Sequence, residues 1–292
     1  MDASTLGALY ALGSAVTWAV TGLLVRSLTA QFTSVGINVL RSTMGGALLV
    51  AYVLWAGGVE PFLAVSPGAF ALMTVSIVAA IGLGDTLFFE STRTLGLGRA
   101  MTIATSYPVL AAVLAAIFLD EPLTPPVVAG TLMTLGGLML IVLTKVDATA
   151  EGRPWRGIGA AVLASAGWAV SAVLMKEPLR EVDPALAQAI RIPVAALLLW
   201  CTPWARGAAG TLWASSGGVL ARFAVLSALT AVSSVMFVAS IKYAGVTVAS
   251  VLSSTAPLFA IPLGVVLLGE RLPPLAVLGA VITVAGIVVL RL

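Results

Sequence analysis

Asp85 is the one acidic residue set well inside a long apolar segment, in the stretch AIGLGDTLFF. A carboxylate in such surroundings is costly. It is kept as a proton carrier, as a counter-ion, or as a hydrogen-bonding partner for a neighbouring helix. Glu90 lies nearer the end of the same segment, three residues before Arg93, a spacing that allows a local ion pair. Further on, Thr102, Thr105 and Ser106 stand at i, i+3 and i+4, one face of a helix, and Ser250, Ser253 and Ser254 repeat that spacing. Hydroxyls in lipid bond the carbonyl one turn back, pack helices together or face a wet cavity. Each cluster runs into a proline, Pro108 or Pro257, expected to kink its helix. Tyr107 has Ala256 as its counterpart, so the two clusters are expected to touch an asymmetric ligand unequally. Trp18 and Trp168 sit in mid-segment, where an indole N–H needs a partner and a flat ring suits a cationic or ring-bearing ligand as well as core packing.

Composition decides what must hold these groups. Of 292 residues, 60% are hydrophobic and 9% charged, against roughly 25% charged in a soluble domain. A membrane span takes about 20 apolar residues, which leaves room for about ten spans with short connections. The first apolar run is as long as a span and carries Asp2 rather than a basic lead-in, so it is expected to stay as a helix and not to be removed as a leader. A net charge of +3 sits at segment ends and no basic patch has interleaved aromatics, which excludes a nucleic-acid surface. Histidine is absent and the single cysteine, Cys201, lies in an apolar run; no metal site and no cofactor are expected. Gly82-Leu-Gly-Asp85 spells the GxGD signature of intramembrane aspartyl proteases, but those enzymes need a second carboxylate sharing a proton, and Asp2, Asp120, Asp147 and Asp183 all fall in termini or loops. The chain is not expected to be an enzyme.

Spans are expected at roughly 5 to 26, 34 to 55, 68 to 92, 98 to 119, 125 to 144, 156 to 176, 184 to 204, 217 to 241, 247 to 268 and 273 to 291, an all-α polytopic membrane protein. Glycine and proline clusters separate them, and several prolines stand where a helix opens, the place at which a missing N–H costs nothing. Trp55, Trp155, Trp200, Trp204 and Trp213 fall near span ends and read as interfacial anchors. The chain also repeats itself. Trp18-Ala-Val20 matches Trp168-Ala-Val170, Arg26 matches Lys176, Arg41 matches Arg191, and, one residue out of step, Ala100, Pro108, Glu121, Gly130 and Gly137 match Ala249, Pro257, Glu270, Gly279 and Gly286. Two copies of a five-helix unit follow: residues 1-146 and 156-292, joined by a loop at 147-155. Five is odd, so the copies cross the membrane in opposite senses as inverted repeats, the arrangement that allows alternating access. Glu121 and Glu270 precede the prolines opening the fifth and tenth helices, whose positive N-termini each can favour. The paired glycines permit the fifth and tenth helices to pack closely.

Taken together, these residues resemble the EamA family of the drug/metabolite transporter superfamily. The resemblance rests on the tryptophans Trp18 and Trp168, the basic residues Arg26 and Lys176, the arginines Arg41 and Arg191, the hydroxyl-then-proline pairs before Pro108 and Pro257, and the exits Asp120-Glu121 and Gly269-Glu270. It implies a cavity formed by helices 1, 3, 4, 6, 8 and 9 and export of small metabolites, amino acids (aromatic ones included) or toxic and organic cations. It also implies a monomer in a bacterial inner membrane with both termini cytoplasmic. That orientation puts only Lys176, Arg180, Arg191, Lys242 and Arg291 inside and the other ten of 15 basic residues outside, against the positive-inside tendency. A channel or a structural membrane protein is the rival reading. Trp18, Asp85, Thr102, Thr105, Ser106, Tyr107, Trp168, Ser250, Ser253 and Ser254 are the expected substrate contacts, with Asp85 and Glu90 as candidates for coupling to a proton gradient.

Overall fold

In the computed structural model, residues 2–28, 30–95, 100, 103–104, 106–143, 154–259 and 273–290 are described. The described residues form helices and connecting turns: α1 (Ala3–Leu28), α2 (Ser34–Gly57), α3 (Pro67–Ile77), α4 (Thr86–Leu95), α5 (Tyr107–Phe118), α6 (Pro125–Leu143), α7 (Pro154–Met175), α8 (Pro184–Trp200), α9 (Gly217–Ser253) and α10 (Pro274–Leu290), with short turns of helix between some of them. Proline opens α3, α6, α7, α8 and α10. Side chains finish several of these starts: Thr33 accepts from the Gly36 amide, Ser66 from that of Ala69 and Asp183 from that of Ala185.

Among the described residues, six helices are long and apolar enough to cross a membrane, or up to seven if the pair Pro184–Trp200 and Pro203–Trp213, bent by 89°, is one span. The ten-span expectation is therefore met in part, and the local reasons are plain. α9 runs 37 residues through a single non-helical residue, Gly245 (φ 86°), where two separate spans were expected. α5 and α10 are shorter apolar helices, and residues 260–272, on which the rest of the expected ninth span falls, lie outside the described residues. The third expected span is continuous but changes its winding: between α3 and α4, Val78–Asp85 is π-helical. Exposed apolar side chains cover the outside, Leu132 and Val281 among them, and Trp55, Trp155 and Trp213 at the helix ends are 80% exposed or more, as anchors at a lipid interface are.

The closest packing joins the first half of the chain to the second: α1 to α9, α2 to α8, α3 and α4 to α7, α6 to α10. Lipid tails are as apolar as leucine, so burial alone cannot hold such pairs; close backbone approach and hydrogen bonds must. Ser14 and Ser233 each donate to the other's carbonyl, at 3.1 and 3.2 Å. Ser76 Oγ donates to the Ser171 carbonyl at 2.8 Å. Between α6 and α10, a Cβ on Gly130 would lie 2.8 Å from the Gly286 carbonyl and one on Gly137 2.5 Å from that of Gly279, and a shift of 149 residues exchanges the two pairs.

Glu121 does not serve the helix that follows it. Its Oε1 accepts from the Val246 amide at 2.7 Å, and its Oε2 from the Thr247 amide and hydroxyl at 3.0 Å each. Asp120, at φ 54°, turns the chain so that the carboxylate meets the arm of α9 that restarts after Gly245, where a Cβ would lie 2.8 Å from Oε1. Its repeat partner Glu270 lies outside the described residues.

The glycine contacts give a direct test. Gly137→Ala should destabilise the protein by roughly 1–3 kcal/mol, the range for overpacking, in thermal unfolding in detergent micelles. Gly136→Ala, with nothing within 4 Å of its Cβ, should stay within about 0.5 kcal/mol of the parent.

Candidate functional site

The site begins on α2, where Asn38 and Arg41 stand one turn apart and the Arg41 Nε donates to Asn38 Oδ1 at 2.9 Å. Both face Asp85, the last residue of the π-helical segment. Asn38 Nδ2 donates to Asp85 Oδ2 at 3.4 Å, and Arg41 Nη2 stands 3.7 Å from the same oxygen. The other carboxylate oxygen accepts from the Trp168 Nε1–H of α7 at 3.0 Å. Trp168 can come this close because Gly84 has no side chain: a Cβ there would lie 2.6 Å from the indole Nε1 and Cδ1. Gly167, next to Trp168, abuts the Ala79 carbonyl, 2.7 Å from where its own Cβ would be. The π turns thus supply both a carboxylate and a notch for the ring that binds it, a use of wide helical turns that recurs at functional sites.

Aromatic rings close the site on two sides. The Arg41 guanidinium lies over the Trp18 ring, 5.4 Å from its centroid, within cation–π range. Trp168 is flanked by Phe88, 5.4 Å away, and meets Tyr107 edge-on at 6.0 Å. The Tyr107 hydroxyl donates to the Ser250 carbonyl at 3.2 Å, which ties α5 to α9. Trp18 remains 46% exposed while the Arg41 side chain is 8% and that of Asp85 18% exposed. The outcome is a neutral ion pair, mostly sheltered, beside an aromatic face that is still open. One oxygen of Asp85 takes a single neutral donor, so the pair can part without leaving the carboxylate bare.

Of the residues singled out in the sequence, Trp18, Asp85, Tyr107 and Trp168 come together here, with Ser250 joined through its carbonyl. The Ser106 hydroxyl turns back to the Ile103 carbonyl at 2.7 Å and that of Ser254 to the Ser250 carbonyl at 2.7 Å. The hydroxyls of Ser250 and Ser253 are buried without a hydrogen-bond partner among the described residues. Thr102 and Thr105 lie outside the described residues. Glu90 sits apart, at 3.2 Å from Arg156 of α7; the Arg93 side chain is outside the described set. Pro108 stands in the first turn of α5, and helical bonding is likewise interrupted at Ser254 and Thr255 before Pro257. The Ala104 carbonyl, four residues before Pro108, cannot be bonded by a proline amide; the Ser165 hydroxyl stands 3.4 Å from it while donating most closely to the Ala161 carbonyl of its own helix at 3.0 Å. Asn38 and Phe88 were not anticipated, and Arg41 was noted only as a repeated residue. A legible signal existed: Asn38-x-x-Arg41 recurs as Gln188-x-x-Arg191. A groove of about 380 Å³ between α2 and α9, lined by Met44, Ala47, Leu48, Ala224 and Ser227, is apolar and does not reach these residues.

Comparison with known proteins places this geometry in a wider setting. The model of the EamA-like transporter family matches the chain twice, over residues 5–143 and 155–292. The chain is similar to the "Uncharacterized transporter YvbV" of Bacillus subtilis (strain 168), 31% identical over 142 residues, which is 47% of this chain and 45% of that protein, so the match spans about half the length of the curated relative. A solved crystal structure superposes with a TM-score of 0.80 at 22% identity, covering 97% of this chain and 94% of its own, a likeness of fold.

The hydrogen bond to Asp85 separates the two tryptophans. Trp168→Phe keeps the ring between Phe88 and Tyr107 but deletes the donor, and should cost about 1.5–3 kcal/mol, as loss of a bond to a charged group does. Trp18→Phe, which retains an aromatic face for Arg41, should cost no more than about 1 kcal/mol. Unfolding of both variants in micelles checks the order.

Proposed function

The chain belongs to the EamA-like transporter family, and on that premise we propose that it is a secondary transporter exporting small amphipathic metabolites, amino acids foremost and aromatic ones among them, by alternating access of two inverted halves. The observation that carries the reading is the Arg41–Asp85 pair at 3.7 Å beside the open Trp18 ring. An amino acid brings an ammonium and a carboxylate at one end and an apolar group at the other. Its carboxylate suits Arg41, its ammonium suits Asp85, and its side chain suits the Trp18, Trp168, Phe88 and Tyr107 rings. Binding would exchange one internal ion pair for two external ones, so the site's own charges are compensated whether it is full or empty.

In this reading residues 1-146 and 156-292 are the two halves, joined by 147-155, and the substrate path runs between them. Both termini stand on one side, taken as the cytoplasmic face of a bacterial inner membrane, and the monomer is the working unit. A proton is the coupling ion, with Asp85 as its carrier or as the charge that compensates it. Glu90, tied to Arg156, is the weaker candidate. A second reading, export of organic cations, is favoured by one observation: the Trp18 ring already holds a cation, Arg41.

Proteoliposomes containing the protein decide among these. Uptake of a labelled amino acid should saturate and show counterflow against preloaded substrate; linear, non-competable flux would mean a channel. Quaternary cations competing where amino acids do not would favour the second reading. Asp85→Asn should lower uptake driven by a pH gradient more than about tenfold, while exchange at equal pH persists once the substrate concentration is raised to offset the lost ammonium contact. Wild-type transport indifferent to the gradient would make the protein a facilitator, and loss of folding in Asp85→Asn would leave Asp85 a structural role.

A further inference from the structure

The second half repeats the arginine of the first but not its carboxylate. Arg191 lies seven residues after Pro184 in α8, about 10 Å along the helix, and is 4% exposed. Its Nη1 donates to Gln188 Oε1 at 3.0 Å, and Nη2 donates to the hydroxyls of Ser76 and Ser171 at 3.0 and 3.1 Å. Gln188 Nε2 reaches on to the Ser234 carbonyl at 2.9 Å. This is the arrangement of Arg41, Asn38 and Asp85 over again, with the amide three residues before the arginine and the same register on the facing helix: a shift of 149 residues carries Asp85 onto Ser234. Where the first half puts a carboxylate, the second puts a serine, whose hydroxyl turns back to the Ala231 carbonyl at 2.9 Å.

Among the described residues, therefore, nothing of opposite charge compensates Arg191. No carboxylate among the described residues is within ion-pair distance of it, and its Nε is buried with no hydrogen-bond partner. The carboxylates nearest to it in sequence are engaged elsewhere: Asp183 accepts from the Ala185 amide, Glu181 from the Ser66 hydroxyl, and Glu177 pairs with Arg180. Hydroxyls and an amide can share the guanidinium's hydrogens but supply no net charge. A lone charge in such a medium is costly unless an opposite charge accompanies it.

We propose that Arg191, with Ser76, Ser171 and Gln188 around it, is a binding site for a small monovalent anionic group, a halide or a carboxylate, which stands where the first half keeps the carboxylate of Asp85. With the Ser76 proton given to the Ser171 carbonyl at 2.8 Å, the Ser171 hydroxyl, 2.9 Å from Ser76 Oγ, is the one that can turn its proton to such a group when the group takes the guanidinium, and Ser76 still holds Ser171 through that carbonyl. The ligand can come from two sources, a free ion or the carboxylate end of a transported molecule, and the site answers to both by the same chemistry.

Thermal unfolding of the purified protein in micelles, followed by tryptophan fluorescence, tests this without reference to transport. Sodium chloride or sodium acetate is titrated against sodium gluconate, a much bulkier anion, at constant ionic strength. The wild type should show a saturable rise of about 2 to 4 °C in melting temperature with at least one of the two small anions. A response to chloride identifies a free ion as sufficient; a response to acetate alone identifies a carboxylate. Ser234→Asp restores the missing carboxylate in the register of Asp85 and should melt higher than the wild type in gluconate and respond to neither anion. Arg191→Gln should also lose the response, and if it does not fold, Ser234→Asp carries the test. A wild type that melts alike in all three salts overturns the proposal, as does a Ser234→Asp variant that keeps the wild-type response.

Discussion

A carboxylate inside an apolar bundle has to be met by positive charge and hydrogen-bond donors, and the requirements of Asp85 organise the centre of this protein. Its partners come from different places in the chain: Asn38 and Arg41 from α2, Trp168 from α7. Each would be left with an exposed polar group in hydrocarbon if its helix moved away, so the carboxylate acts as a polar fastener beside the apolar contacts that these helices also share. The π turns before Asp85 follow from the same need. A regular helix with a side chain at position 84 would put atoms where the Trp168 indole lies, and the indole could not reach the carboxylate.

Away from the centre, the halves are joined by contacts that only small or polar residues permit. Backbone meets backbone at Gly130 with Gly286 and Gly137 with Gly279, and serine pairs bridge α1 to α9 and α3 to α7. Glu121 belongs to the same class of contact. It closes the open amides at the start of the α9 arm after Gly245, a set of donors that neither lipid nor a neighbouring helix could satisfy. One half therefore completes the secondary structure of the other. That dependence accounts for the absence of a Cβ at Gly245 better than flexibility does, since its φ of 86° and the nearness of the carboxylate both exclude a side chain.

Much of this was legible in the sequence, and what was not has a common cause. Asp85, Trp18, Trp168 and Tyr107 stood out because their types are improbable in lipid, and helix openings at prolines followed from backbone chemistry alone. Pairings across space did not follow. Asn38 is unremarkable until α2 is set beside Asp85, and Glu121 looked like a cap for the helix next in sequence because nothing local reveals that Asp120 turns it towards Val246. The π-helical winding of Val78–Asp85 leaves no periodic trace in a stretch of small apolar residues. The hydroxyl clusters divided for a reason that sequence could state but not resolve: Ser106 and Ser254 had carbonyls one turn back within reach, and the structure uses them.

The repeat is close enough that its departures carry meaning. Trp18 and Trp168 occupy equivalent positions, yet one offers its face to a cation and the other its N–H to an anion. They differ because they meet non-equivalent partners: the helix facing Trp168 carries Asp85, and the matching position on the helix facing Trp18 is Ser234. A single acidic residue thus breaks the symmetry of two tryptophans, two arginines and two amides at once. Tyr107, whose counterpart is Ala256, extends the asymmetry by adding a ring against Trp168 and a hydroxyl bond to the Ser250 carbonyl of the other half. A site built in this way presents a charged end and an aromatic side in fixed relation, and it is on that relation that the proposed preference for ligands polar at one end and apolar at the other rests.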